Sequence, residues 1–266
     1  CMPTPEFDIC VIGGGAAGLV VSAGGSTLGA KVALIEKHEG GMGGDCLHYG
    51  CVPSKTLLRS AKVAHQMRHA DHYAIGPAVP QIDIGKVMQR VAGVIASIEP
   101  NDSPERFRSL GVDVSFGAGQ FTDPGTFTVG NRKITARNFV IATGSRPGVP
   151  PIPGLNDVPF LTNETVFKLN EPVPSMIVIG AGPIGCELAQ AFVRLGSKVM
   201  VVDLSPTLLP REDADLAAVI RKQMEADGIE FYLGVTPTKA EGTAGAISLW
   251  IKDNDGREIK LDASHL

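Results

Sequence analysis

Two stretches of this chain share one pattern of apolar and polar positions. In the first, the apolar run Ile9-Cys10-Val11-Ile12 enters Gly13-Gly14-Gly15, an alanine- and leucine-containing segment follows, and a second apolar run comes at Val32-Ala33-Leu34-Ile35. In the second, Met176-Ile177-Val178-Ile179 enters Gly180-Ala181-Gly182, and the pattern closes at Val199-Met200-Val201-Val202. Short continuous apolar runs predict strands buried on both faces. Each stretch therefore reads as strand, glycine turn, helix and strand, the start of a parallel doubly wound sheet. Gly13 falls on Gly180, Gly18 on Gly185 and Glu36 on Asp203, all 167 positions apart, so the chain contains two copies of one unit.

Between and after the copies the pattern changes. Residues from about Thr56 to Leu110 have helical spacing, with Asp83 as a cap before Ile84, Val87, Val91, Val94, Ile95 and Ile98. From Val112 to Val140 short strands alternate with turns at Asp123-Pro124-Gly125 and Gly130-Asn131. Ala142-Thr143-Gly144-Ser145 closes the first unit, and the proline-rich stretch from Pro147 to Pro153 is a natural crossover. A helix from about Asp213 to Asp227, a strand at Ile229 to Leu233 and hairpin strands ending near Leu261 follow, so that the second sheet is expected to lack its last strand.

Composition adds exclusions. With 266 residues and 44% hydrophobic content, the chain can fill about two domains. A net charge of −4 leaves no basic footprint for nucleic acid. No apolar run approaches the roughly 18–20 residues that cross a bilayer, and no leader pattern opens the chain, so the cytoplasm is the expected location. Five cysteines in such a chain read as redox or core residues, with Cys10 and Cys186 as small core residues and Cys1, at a trimmed end, given no role.

Gly13-x-Gly15-x-x-Gly18 suits a dinucleotide. The first glycine makes a tight turn, the second lets a pyrophosphate approach the backbone, and the third lets the helix pack on the sheet. The helix N-terminus faces the phosphates, and Glu36 at the end of the next strand can hold ribose hydroxyls. Gly180, Gly182, Gly185 and Asp203 repeat the arrangement. A carboxylate at Asp203 accepts from a free 2′-hydroxyl and repels a 2′-phosphate, by about 4 kcal/mol per charge pair at 4 Å and an effective dielectric near 20. NAD(H) is thus favoured over NADP(H), although Arg211 is within reach of a phosphate.

The sharpest motif is Gly43-Gly44-Asp45-Cys46-Leu47-His48-Tyr49-Gly50-Cys51-Val52-Pro53-Ser54-Lys55. In a regular helix, residues five apart point about 140° away from each other, too far for a disulfide, which needs Cα atoms within about 7 Å. A bridge between Cys46 and Cys51 requires an irregular turn, which Gly50 can supply. The alternative is a pair of core cysteines.

This segment, with the two glycine turns and Ala142-Thr143-Gly144, resembles the class I pyridine nucleotide-disulfide oxidoreductases, the family of dihydrolipoamide dehydrogenase, glutathione reductase and mercuric reductase. The resemblance covers essentially the whole chain. It implies an α/β fold of two Rossmann-like dinucleotide-binding domains, the FAD/NAD(P)-binding fold: residues 1–149 bind FAD and carry the redox-active pair, and residues 150–266 form an incomplete NAD(P)-binding domain inserted in the first. Gly13, Gly15, Gly18, Glu36, Gly44 and Asp45 would bind FAD, with Gly119, Thr143 and Gly144 on its adenine and phosphate side. Gly180, Gly182, Gly185 and Asp203 would bind NAD(H). Cys51 would lie nearer the flavin, Cys46 would exchange with substrate, and Lys55 would sit by the flavin and pair with Glu187. In the mechanism so implied, hydride passes from NADH to FAD, the Cys46–Cys51 bridge opens at Cys51, and the Cys46 thiolate reduces the acceptor.

The resemblance also implies partners. The substrate is a small-molecule disulfide or dithiol, lipoamide-like, or mercuric ion, and the full-length parent is a homodimer. Family members continue beyond this chain with a further flavin-binding segment and a dimerisation domain that supplies a His–Glu pair, so a truncated, catalytically silent fragment is one competing reading. A flavoprotein reducing a quinone or peroxide is another, and the intact cysteine pair argues against it. His65, His69 and His72 share a helical face at metal-ligand spacing, but no further ligand is near in sequence, and a solvated face is expected there rather than a metal. His48 stands inside the cysteine motif, where it can tune the thiols or simply face solvent.

Overall fold

The computed structural model describes residues 4–266, and Cys1 lies outside the described residues. Residues up to Pro53 together with Ala92–Arg146 form one compact unit, and Ser54–Val91 together with Pro147–Leu266 form another.

The first unit is built on β1 (Phe7–Ile12), α1 (Ala16–Thr27) and β2 (Val32–Glu36). Two helices follow in close succession, α2 (Gly44–His48) and α3 (Cys51–Arg68), the latter passing into the second unit at Ser54. After α4 (Ile84–Ile98), whose end returns to the first unit, come α5 (Pro104–Ser109), β3 (Asp113–Phe116), β4 (Gly119–Asp123), β5 (Thr126–Val129) and β6 (Arg132–Ile141). The strands run in the order β3-β2-β1-β6-β5-β4. β1 pairs parallel with both β2 and β6, whereas β4, β5 and β6 form an antiparallel meander. β2 shows why its sequence is apolar throughout: Val32 and Leu34 enter one core with Leu19 and Phe107, while Ala33 and Ile35 enter the opposite one with Cys10 and Phe127.

The helical pattern expected from Thr56 to Leu110 is interrupted. Residues 76–83 lie outside any helix, because Pro77 and Pro80 lack the amide hydrogens a helix needs. Asp83 does cap the restart, its Oδ1 accepting from the Lys86 amide at 3.1 Å.

In the second unit, β7 (Ser175–Ile179), α6 (Pro183–Arg194), β8 (Lys198–Asp203), α7 (Ala214–Ala226) and β9 (Glu230–Leu233) build a parallel sheet in the order β7-β8-β9. The meander β10 (Thr236–Thr243), β11 (Ala246–Lys252) and β12 (Glu258–Ala263) packs its Ile247, Leu249, Ile251 and Leu261 with Ile177 and Val202. The chain then returns to β7: His265 bridges Met176 in parallel, its amide donating to Ser175 and its carbonyl accepting from Ile177 at 2.9 Å. A first parallel pairing thus stands on the side of β7 where the sequence suggested no strand.

Candidate functional site

The two glycine turns have the same local construction. Gly13 and Gly180 take φ of +110° and +116°, values that favour glycine, and their amides donate to Ile35 and Val202 at 2.7 and 2.8 Å. The next amides, of Gly14 and Ala181, each donate at 2.6 Å to a carboxylate, Glu36 Oε2 and Asp203 Oδ2. Gly15 and Gly182 are the N-caps of α1 and α6, and neither supplies a side-chain acceptor to the first helical amides. Those amides remain directed at whatever occupies the space before the helix, which is how a helix start receives a phosphate. A Cβ at Gly18 would lie 1.8 Å from the Gly13 carbonyl, and one at Gly185 would lie 1.9 Å from that of Gly180, so the third glycine is demanded by packing in both units.

Around the first turn, Gly43 and Gly44 press against the same backbone. Gly43 donates to the Gly14 carbonyl at 2.9 Å, and a Cβ on Gly44 would stand 2.6 Å from Gly15 Cα. This contact places the start of α2 against the glycine turn. Gly14 and Gly117 were not singled out by motif; Gly117 donates to the Glu36 carbonyl at 2.9 Å and takes φ +139°, a conformation that only the fold reveals. Gly144 follows the end of β6 at φ +71°, and Thr143 and Asp45 are exposed. Gly119 stands on edge strand β4, where a Cβ would meet the Phe127 ring at 2.3 Å, so packing also demands glycine there.

The cysteine pair is brought together by a broken helix. α2 ends at His48, Tyr49 turns out of helical geometry at φ −137°, and α3 begins at Cys51. Gly50 permits the break, because a Cβ there would lie 2.8 Å from the Asp45 carbonyl and 3.4 Å from Cys46 Cα. Both cysteines are in the reduced thiol form, Cys46 half-buried and Cys51 exposed, and they are hydrogen-bonded to each other. That bond, then burial and the neighbouring charges, raises the Cys46 thiol above the ordinary range. Cys10 and Cys186 are buried in their cores, and burial pushes their thiols up to about 12 and about 11, which makes them inert.

One turn of α3 beyond Cys51 stands Lys55, whose Nζ meets Glu187 Oε1 at 2.5 Å. Glu187 lies on α6, so this ion pair ties α3 to the helix of the second glycine turn within the second unit. Gly180, Gly182, Ile184 and Gly185 also line a cavity of about 410 Å³ with Thr162 and Asn163. Of the histidine face, His69 and His72 are exposed, while His65 is half-buried and faces the buried Asp227 carboxylate at 3.6 Å; the His65 and His69 rings stand 4.4 Å apart. Among the described residues no group of His, Cys, Asp or Glu is placed to hold a metal ion, and no helix is long and apolar enough to cross a membrane.

Residues 7–264 match the family model described as pyridine nucleotide-disulphide oxidoreductase. The chain is 31% identical to a mercuric reductase of Staphylococcus aureus, covering 98% of this chain and 47% of that protein. It is also 31% identical to a dihydrolipoyl dehydrogenase of Acholeplasma laidlawii, over 97% of this chain and 76% of that protein. Among solved structures, the HOCl-induced flavoprotein disulfide reductase RclA of Escherichia coli superposes with a TM-score of 0.79 at 26% identity, covering 97% of this chain and 55% of that one. Its Cu(II) complex gives 0.81 at 25% identity over 99% and 56%. The chain spans about half the length of the mercuric reductases it matches.

Proposed function

The chain belongs to the pyridine nucleotide-disulphide oxidoreductase family, and from that premise we propose that it is the nucleotide-binding and thiol-bearing part of an FAD-dependent enzyme that moves electrons between NAD(H) and a Cys46–Cys51 redox disulfide. The observation that carries this reading is the helix break at Tyr49 and Gly50, which sets two cysteines five residues apart in hydrogen-bonding contact. A buried structural pair would have no use for an exposed Cys51.

Both glycine turns fit a dinucleotide. Gly15 and Gly44 keep the backbone bare where a pyrophosphate would approach, and among the described residues no atom lies within 4 Å of a Cβ built on Gly182. Gly13, Gly15, Gly18, Glu36, Gly44, Asp45, Thr143 and Gly144 would hold FAD, and Gly180, Gly182, Gly185 and Asp203 would hold NAD(H). When bound, the two groups supply hydride and electron transfer. The chain's part is to bind and to exchange. Glu36 and Asp203, already anchored by backbone amides, present their remaining lone pairs to ribose hydroxyls, and the Asp203 charge disfavours a 2′-phosphate.

The dithiol chemistry balances on its own residues. The Cys46 thiolate attacks one sulfur of a substrate disulfide and expels the first thiolate, which takes up a proton. The Cys51 thiolate then attacks the Cys46 sulfur, re-forming the bridge and releasing the second thiol. The substrate gains two electrons and two protons, and the Cys46–Cys51 pair loses them. A metal-ion acceptor such as mercuric ion is the second reading, favoured by the similarity to mercuric reductases.

The test is to oxidise the chain, load it with FAD, add NADH without oxygen and map alkylation by mass spectrometry. The proposal expects Cys46 and Cys51 to become labelled only after NADH. Flavin reduction with both cysteines still unlabelled would remove the redox role of the pair.

A further inference from the structure

A buried carboxylate joins three helices of the second unit, away from the glycine turn. Asp227 caps α7 with its side chain 1% exposed. Its Oδ2 accepts from Gln190 Nε2 at 2.9 Å and from Arg194 Nε at 2.8 Å, both on α6, and its Oδ1 accepts from Gln223 Nε2 of α7 at 3.0 Å. On the α3 side, His65 Nδ1 stands 3.6 Å from Oδ1, outside hydrogen-bonding distance. One turn further along α3, Arg68 donates through Nη1 to the Arg194 carbonyl at 2.6 Å. The same two helices meet again where Lys55 pairs with Glu187. His65 follows Lys55 by ten residues, about 15 Å of helix, and Arg194 follows Glu187 by seven, about 10 Å. α3 is thus tied to α6 at two heights, and a shift at one tie is carried along the helices to the other.

We infer that His65 is a pH-sensitive latch: while neutral it lets α3 seat against the Asp227 carboxylate, and on taking up a proton it loosens that seat and, with it, the Lys55–Glu187 pair. The charges around the ring give the direction. Asp227 supplies one negative charge, which Arg194 of α6 already neutralises at 2.8 Å. Arg68, on the same helix as His65, adds a second cation at the Arg194 carbonyl, and the His69 ring stands 4.4 Å away. A proton on His65 therefore sets a third cation around a single buried carboxylate. Attraction to Asp227 offsets part of the cost, but burial of the ring, and after it the Arg194 charge, hold His65 below the ordinary histidine range. With the folded-state value lowered, the unfolded chain takes up the proton first, so the seat is fully held above about pH 6.5 and is weakened as pH falls below it.

The latch is read at Lys55, whose labelling needs neither flavin nor cysteine chemistry, so its failure and that of the redox reading are told apart. The full chain is pulse-labelled with an N-hydroxysuccinimide ester at pH 7.5 and at pH 5.5, and modification of Lys55, quantified by mass spectrometry, is divided by that of Lys62, an exposed lysine on the same helix. Both amines titrate far above this range, so their neutral fractions fall in parallel and the ratio holds constant unless the ion pair itself changes. In wild type the ratio is expected to rise about threefold on acidification, the change equivalent to half a pH unit of linked protonation. His65→Gln, which cannot take up the proton, should keep the ratio flat, whereas His69→Gln should keep the wild-type rise. A flat ratio in wild type would overturn the inference, as would an equal rise in His65→Gln. Loss of the rise in His69→Gln would also overturn it, by taking the response away from the residue that faces Asp227.

Discussion

The two glycine turns make the same hydrogen bonds but stand in different surroundings. At the first, β6 runs along the far side of β1, and the carbonyl of Ala142 lies 2.1 Å from where a Gly13 Cβ would be. At the second, the far side of β7 carries a single bridge from His265, and among the described residues no atom lies within 4 Å of a Cβ on Gly180. One motif is thus held by different forces at its two occurrences. The third glycine answers to helix–sheet packing in both, the first answers to a crowded sheet in one unit and to backbone conformation alone in the other, and at the middle one a Cβ would touch Gly44 in the first unit and nothing among the described residues in the second.

The comparison breaks first at the leading glycine. Gly13→Ala meets both the positive φ and the Ala142 carbonyl and should cost about 3–4 kcal/mol, whereas Gly180→Ala meets only the conformational penalty, about 1–2 kcal/mol. Urea unfolding of the two variants should show that gap, and equal losses would refute the distinction. At the third position the copies should agree: Gly18→Ala and Gly185→Ala are each expected to cost about 2–3 kcal/mol, the same within about 0.5 kcal/mol. Gly182→Ala should leave unfolding within about 0.5 kcal/mol of wild type yet weaken NADH binding about tenfold, or about 1.4 kcal/mol, by calorimetry.

The smallest effect concerns the rim of the first sheet, where Arg132 donates to both oxygens of Asp113 at 2.7 and 2.8 Å. Those bonds hold the Asp113 carboxyl below the usual carboxylate range. A depressed folded-state pKa contributes stability above the unfolded value, and that stability is lost as pH falls through the folded value. Both side chains are more than a third exposed, so solvent screening limits the gain to about 1 kcal/mol or less. Arg132→Gln should therefore lower the melting temperature slightly at pH 7, with the difference from wild type shrinking below about pH 4.

Much of this was legible in the sequence because its determinants are local. A glycine turn between an apolar run and a helix carries its own steric reasons, and the need for a break at Gly50 follows from helical geometry before any fold is known. What the sequence hides is long-range. Gly119 carries a packing demand from Phe127 in the neighbouring strand that no motif shows. Asp102 lies in a polar stretch with no motif, and only the fold reveals that it faces Gly43. His65 belongs to a face that periodicity leaves to solvent, yet Asp227, more than 160 positions later, turns it inward. The return of His265 to β7 depends on two residues at the chain's end, too few to carry a strand pattern.

On the function proposed above, Cys51 receives electrons from a flavin held by the first unit. The most direct measurement is the visible spectrum of the FAD-loaded chain before and after anaerobic NADH, in wild type and in Cys51→Ser. NADH is expected to bleach the flavin, with a long-wavelength thiolate-to-flavin band then growing in wild type, while Cys51→Ser bleaches without the band. A wild-type spectrum indistinguishable from that of Cys51→Ser, with flavin bound and reduced in both, would contradict it.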